Sequence, residues 1–549
     1  MKMSLFRINR ALVPRFLPKS SPLSTSLSPE NEEYNTTPQY PPILDLSREK
    51  MLERKKEAIY DEIKSVKTVE EKQIKLNMPR YYGFRSYMVS EDEIYYNDLS
   101  FIQHITRTHI IKNKGLPDYY NTIETDNIAE IRNGIEEALL MELDAFQKFH
   151  DLKNAELSDG DKENIITNNV VQQINKVLTN NLVQKYPHLF SNEVDTNPRL
   201  ETAWYVGGIN PPEIVKKSRR GSELAKKYEN DPVDRLLYYT GSPSLTVRSE
   251  LPLPLLLTPS EAENSSFDVP SFSYDPRVFG VGIEHRYMAN IPGFWPGDSN
   301  SFGIISYLKK GHLLKRSQRI KDEEDNKNAL DRQAVLSSYA WLHAQANFLG
   351  FTTFNDITYP LVTQTVMTNG KEFNFFIYQL NTILLHSKHI KENPKRNICW
   401  SSESFKLYEE VKDGKIVGLN DETLSILVKL YSNTPSERLG VNLRPYLGQK
   451  EKIIADYQDD EKREWLEREY KFLVSNRPRF QEMPQIYSYE KIYKIDHETR
   501  QMDKRRRFFE LGIKPQDRKL NDRLGRYIPR AHRPDLPRHK GKLAKEYWP

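Results

Sequence analysis

Residues 328–384 constrain the fold more than any other stretch of this chain. Leu330, Val335, Tyr339, Leu342, Ala346 and Leu349 recur at helical spacing, and Gly350 supplies a stop. The spacing predicts a core helix over 328–350. Two β-prone runs follow, 362–368 and 372–384, with Asn369-Gly370 between them. Asn-Gly in that position predicts a hairpin closed by a type I′ turn. Upstream, Ile128, Ile131, Ile135, Leu139, Leu143, Phe146 and Phe149 form one apolar stripe, and Ile166, Val170, Ile174, Val177, Leu178 and Leu182 a second. These predict helices over 125–151 and 160–185, paired antiparallel across a polar turn near Asp159-Gly160. A further helix is expected at 421–433. Pro and Gly are frequent over 200–310, which reads as loops and short strands. The class is therefore α+β: helices packed with an antiparallel, hairpin-containing sheet, carrying long extended N- and C-terminal extensions.

Four regions follow along the chain. Residues 1–29 form a basic leader, and 30–120 an extended and helical region with a charged helix over 48–77. Residues 121–435 form the α+β body. Residues 436–549 form an extension that is charged and helical over 458–474, then basic. The 549 residues are 38% hydrophobic and 29% charged, a balance that suits a folded body with polar extensions rather than an enzyme compact throughout. A single cysteine, Cys399, excludes an internal disulfide framework and a zinc ribbon. No apolar run approaches the roughly 20 residues that span a bilayer.

The formal net charge of +5 hides a sharp asymmetry. Residues 1–29 carry five basic residues and no acid; residues 500–549 carry 16 basic and six acidic. That leaves 60 basic and 70 acidic residues in 30–499, an acidic body between two basic ends. The N-terminal end is acid-poor and serine-rich, and Leu5, Ile8 and Leu12 can line one helical face. It reads as a mitochondrial transit peptide, against the alternative of a plain basic tail. The C-terminal end runs through Lys504, Arg505, Arg506, Arg507, Arg518, Lys519, Arg523, Arg526, Arg530, Arg533, Arg538, Lys540 and Lys542, interleaved with Phe508, Phe509, Tyr527, Tyr547 and Trp548. Five prolines exclude one continuous helix. Basic peptide with scattered aromatics suits threading along RNA, where cations meet phosphates and rings meet unpaired bases. A solvated tail and an anionic membrane surface are the alternatives. Lys216, Lys217, Arg219 and Arg220 form a basic loop ending at Gly221, a second candidate phosphate contact.

A search for catalytic or metal chemistry yields little. Gly280 and Gly282 lack the third glycine of a dinucleotide fingerprint. His386 and His389 lack cysteine or paired carboxylate neighbours and read as the end of a surface strand; His104 and His109 read as surface or packing residues. The acidic run 322–325 reads as a solvated loop. Cys399 reads as a buried thiol. No catalytic residue, metal ligand, cofactor or small-molecule substrate is assigned.

A specific resemblance rests on long motifs: YAWLHAQANFLGFTTFNDITYPLVTQ at 339–364, VMTNGK at 366–371, FIYQLNT at 376–382, NPKRNICW at 393–400, LYEE at 407–410 and GLND at 418–421. Weaker matches lie upstream at 40–43, 78–88, 115–117, 204–206 and 219–221. The chain resembles the family of mitochondrial ribosomal proteins once numbered thirty of the small subunit, also called programmed cell death protein 9 and now placed in the large subunit. The resemblance covers about 40–435 and stops there, so it says nothing of the basic tail. It implies a structural constituent of the mitochondrial large ribosomal subunit, in the mitochondrial matrix, without catalysis. The partners it implies are large-subunit rRNA, a paralogous large-subunit protein numbered thirty-seven and other mitochondrial ribosomal proteins. A mitochondrial RNA-processing enzyme and a ribosome-free, apoptosis-linked adaptor are the competing readings.

Overall fold

A computed structural model describes residues 84–445, apart from 92–96, 126–127, 154–157, 222, 224, 287–289, 295–297, 352–355, 387–388 and 413, together with scattered positions between 45 and 61. The chain divides into two units, residues 1–55 and 56–549. In the first, the Arg54 guanidinium donates to the Asp45 carbonyl at 2.7 Å, and the Ser47 amide donates to the Asp45 carboxylate at 2.8 Å. The leader and the 458–474 helix lie outside the described residues, as does most of the 48–77 helix. The body belongs to the second unit.

Its strands are β1 (Phe84–Ser90), β2 (Thr108–Lys112), β3 (Glu193–Thr196), β4 (Leu200–Ile209), β5 (Val233–Gly241), β6 (Leu245–Ser249), β7 (Ile283–Arg286), β8 (Phe302–Lys309), β9 (Leu361–Thr368), β10 (Glu372–Leu380), β11 (Asn397–Lys406), β12 (Glu410–Lys412) and β13 (Lys415–Val417). A seven-stranded sheet runs β2-β11-β10-β9-β8-β6-β3, and a four-stranded sheet runs β4-β5-β1-β7. The larger sheet is mixed: β8 pairs parallel to β9, and β11 parallel to β2. The α+β class stands, with the expected hairpin at its centre.

Alternation along β10 shows why the large sheet is covered on both faces. Phe373, Phe375 and Ile377 point into one apolar cluster, and Phe376, Tyr378 and Leu380 into the other. The first cluster includes the helices Ile128–Lys153 and Asp159–Leu182 and the helix Asp421–Ser432. The second includes the central helix, Glu323–Phe348, and inward residues of the four-stranded sheet such as Trp204, Leu237 and Tyr239. The central helix thus lies between the two sheets.

The expected helical pair is present and antiparallel, since Gly134 lies against Val177 and Glu142 accepts from Gln173 at 2.6 Å. Its second helix starts earlier than expected: Ser158 caps it, and Gly160 sits in its first turn. The central helix also starts earlier. The acidic run 322–325 is not a solvated loop: Asp322 accepts from the Glu324 amide, and the acids after it fill the first turn, where the positive pole of the helix favours them. The helix ends as expected at Gly350, whose φ is +95°. The Phe351 amide bonds the Ala346 carbonyl, and the Gly350 amide bonds the Asn347 carbonyl.

Two expectations need correcting. The hairpin turn is not type I′, because Gly370 has positive φ and Asn369 does not. Asn369 Oδ1 instead accepts from the Lys371 and Glu372 amides at 3.1 and 2.8 Å, closing the turn with its side chain. Residues 200–310 hold more than short strands: β4, β5 and β8 run for ten, nine and eight residues. Glycine there serves close packing. A Cβ on Gly303 of β8 would lie 2.4 Å from the Trp341 ring of the central helix.

Candidate nucleic-acid interface

β4 and β5 run antiparallel as far as Ile209 opposite Val233. The 23 residues between them, 210–232, leave the sheet as one excursion. Pro212 precedes a short helix, Glu213–Arg220, and its carbonyl accepts from the Lys216 amide at 3.1 Å. The expected basic loop is therefore a helix. None of its side chains is buried, and Ile214 is 82% exposed.

Polar ties hold it instead. Arg219 Nη1 donates to the carbonyls of Tyr228 and Asp231 at 2.8 and 2.6 Å. Arg220 donates to Glu229 Oε1 at 2.6 Å, and Lys216 lies 3.6 Å from Glu213. Lys217, Arg219 and Arg220 fill the last turn, at the negative pole of the helix. Arg219 faces its own backbone, and Lys216 and Arg220 each share an acid. Lys217 makes no ion pair among the described residues.

Three residues that the sequence reading missed complete this surface. Lys226 and Lys227 are exposed and without an ion pair among the described residues, and Tyr228 is 43% exposed with Lys227 Nζ 4.7 Å from its ring centre. Their only sequence signal is the Lys-Lys-Tyr run itself, inside a stretch that reads as loop. The whole excursion carries six basic and four acidic residues. The candidates from Lys504 to Lys542 lie outside the described residues.

Several titratable groups elsewhere are interior. Burial pushes the Cys399 thiol well up, and nearby Asp331 adds to the shift. His343 Nδ1 lies 2.7 Å from Thr202 Oγ1, and burial pushes the imidazole down to about 3. His104 is buried and accepts from the Phe272 amide; His109 packs on Phe267 with its centroid 5.2 Å away. The rings of His386 and His389 are 5.2 Å apart, and His389 opens a short helix rather than ending a strand. Among the described residues, no three His, Cys, Asp or Glu side chains gather as metal ligands, and no helix is long and apolar enough to cross a membrane.

Residues 8–435 match the family model described as mitochondrial 28S ribosomal protein S30 (PDCD9). The chain belongs to that family. The match contains all of the body described above except its last few residues, and ends where the motif resemblance ends. The chain is also similar to two curated proteins named large ribosomal subunit protein mL37. The one from Mus musculus is 26% identical over 206 residues, covering 36% of this chain and 45% of its own length. The one from Rattus norvegicus is 27% identical over 207 residues, covering 37% and 45%. The chain thus spans less than half the length of these relatives.

Proposed function

We propose that this family member is a structural constituent of the mitochondrial large ribosomal subunit. The observation that carries the reading is the family match over 8–435, which takes in nearly the whole folded body. The family description bears a small-subunit number, while the relatives are named for the large subunit, and the relatives' names favour the large one. The acid-poor leader supports delivery to the mitochondrial matrix.

The role is scaffolding without catalysis. A body with a central helix between two sheets, and helices over the far face of the larger one, offers a rigid platform. Its acidic surface suits contact with proteins, while rRNA contact concentrates in the 210–232 excursion and the basic tail. Phosphate contacts there position the protein rather than read sequence. The family resemblance implies a paralogous large-subunit protein as neighbour, and the similarity to mL37 over 206 residues supports that kinship.

Sedimentation of mitochondrial lysate through sucrose, with and without ribonuclease, tests the proposal. The protein should travel with the large subunit and leave that position when RNA is digested. A peak at the top of the gradient in both samples would overturn the reading and favour a ribosome-free adaptor or an RNA-directed enzyme.

A further inference from the structure

The helix Glu213–Arg220 buries nothing and holds an isoleucine in solvent, yet it is fixed by four guanidinium hydrogen bonds. The helix so tied, with so little packed beneath it, presents Lys217 outward, and the turn Lys226–Tyr228 to which Arg219 bonds adds Lys226, Lys227 and the half-exposed ring of Tyr228; no described acid offsets the three lysine charges directly. The acids of the excursion are divided: Glu213 and Glu229 engage Lys216 and Arg220, whereas Glu223 and Asp231 make no ion pair among the described residues.

We propose that the 210–232 excursion seats a single RNA strand, with Lys217, Lys226 and Lys227 on backbone phosphates and Tyr228 stacked on one unpaired base. Arg219 is a positioning residue: its guanidinium is spent on the Tyr228 and Asp231 carbonyls and touches no RNA. The reading rests on the ribosomal proposal only for which RNA is met. Lysines alone would suit any phosphate surface. The ring decides for an unpaired strand, since an A-form duplex keeps its base faces stacked and closed to side chains. Lys227 sits over one face of Tyr228 and adds positive charge beside the stack.

The test uses the full chain and a fluorescently labelled single-stranded RNA of mixed sequence, titrated across a salt series, with a matched duplex for comparison. The tail is present in every sample, so differences between variants report the excursion. Each phosphate contact on a single strand contributes about 0.7 to the slope of log K against log salt, so K217A/K226A/K227A should flatten the slope by about 2. Tyr228→Ala should weaken single-strand binding by roughly tenfold and leave duplex binding unchanged, whereas Tyr228→Phe should bind as the parent does. Ultraviolet cross-linking to a uridine-containing strand should mark the peptide carrying Tyr228. An unchanged slope together with no cross-link there would overturn the seat. If the triple variant left RNA binding intact but lost co-sedimentation with the large subunit, the lysines would serve an acidic protein instead. Failure of the parent protein to co-sediment would count against the ribosomal reading and leave the salt slopes to judge the seat.

Discussion

Two helices that both carry polar and charged side chains occupy opposite situations in this molecule. In the central helix every residue from Asp331 to Asn347 is buried, including Asp331, Arg332, Gln333, Ser337, Ser338, His343, Gln345 and Asn347. In Glu213–Arg220 none is buried. The interior helix tolerates its polar groups because the surrounding sheets answer most of them. Asp331 accepts from Ser401, Ser338 bonds Thr365 Oγ1, and Gln345 accepts from the Gly303 amide. The outer helix is answered only by its own excursion, and only in part. Polar side chains do not by themselves keep a helix at the surface; the partners that the rest of the chain provides let the central one stay inside. Groups left over inside would be a cost, and groups left over outside are available to another molecule.

That contrast can be broken at the interior ion pair first. Arg332 Nε lies 3.3 Å from Asp98 Oδ1, both side chains being buried. Burial holds the Asp98 carboxyl above its usual range, although Arg332 pulls it down. Arg332→Met should cost about 3–5 kcal/mol in chemical denaturation, because it strands a buried acid. D98N in the same background should recover much of the loss. A single variant as stable as the parent would mean that partner number is not what keeps this helix inside. Next in size is Gly303→Ala, whose new methyl meets the Trp341 ring and should cost about 1–3 kcal/mol.

His343 sharpens the contrast through pH. Its folded value near 3 lies below the ordinary 6.5, so the unfolded chain takes the proton first as pH falls. Its contribution is complete above about 6.5 and is lost progressively below that. His104, pushed down to about 4 by burial, adds the same sign. Glu91 and Asp331, both pushed up by burial, oppose it. Comparing slopes isolates one group: between pH 6 and 4.5, His343→Gln should lessen the loss of stability by roughly 1.4 kcal/mol per pH unit at most. Parallel slopes would show that the imidazole is protonated in the folded protein.

Much of the interior was legible in the sequence and little of the outer surface was. Apolar periodicity placed the helical pair, the central helix and the hairpin within a few residues, since each buries a stripe or a face. It missed that the central helix is buried all round from Asp331 to Asn347, because Arg332 and Gln345 look exposed until Asp98 and Gly303, more than 40 residues away, come to meet them. It shortened the strands of 200–310 because glycine such as Gly303 reads as a breaker, when here it admits a tryptophan. At the candidate site Lys216, Lys217, Arg219 and Arg220 were found but Lys226 and Lys227 were not, and the roles of the basic residues were not legible. Composition cannot tell Arg219, turned to three backbone carbonyls, from Lys217, turned to solvent.

Arg219 therefore gives the smallest and most discriminating effect. Its hydrogen bonds tie the helix of the excursion, which contributes no buried side chain, to the returning residues 228–231, so their loss should open the excursion locally without unfolding the body. Arg219→Ala should lower global stability by less than about 1 kcal/mol, while amide exchange across 213–231 accelerates by tenfold or more and exchange in the central helix stays unchanged. Arg219→Lys should restore protection only in part: Nη1 alone meets the carbonyls, and an ammonium can donate there too, but on a stem without the guanidinium's planar geometry. If the lysine variant restored protection in full, any cation at that position would hold the excursion and the guanidinium geometry would not matter. If Arg219→Ala destabilised the body as much as Arg332→Met, the excursion would be part of the cooperative core, and the division between an answered interior helix and an unanswered outer one would fail.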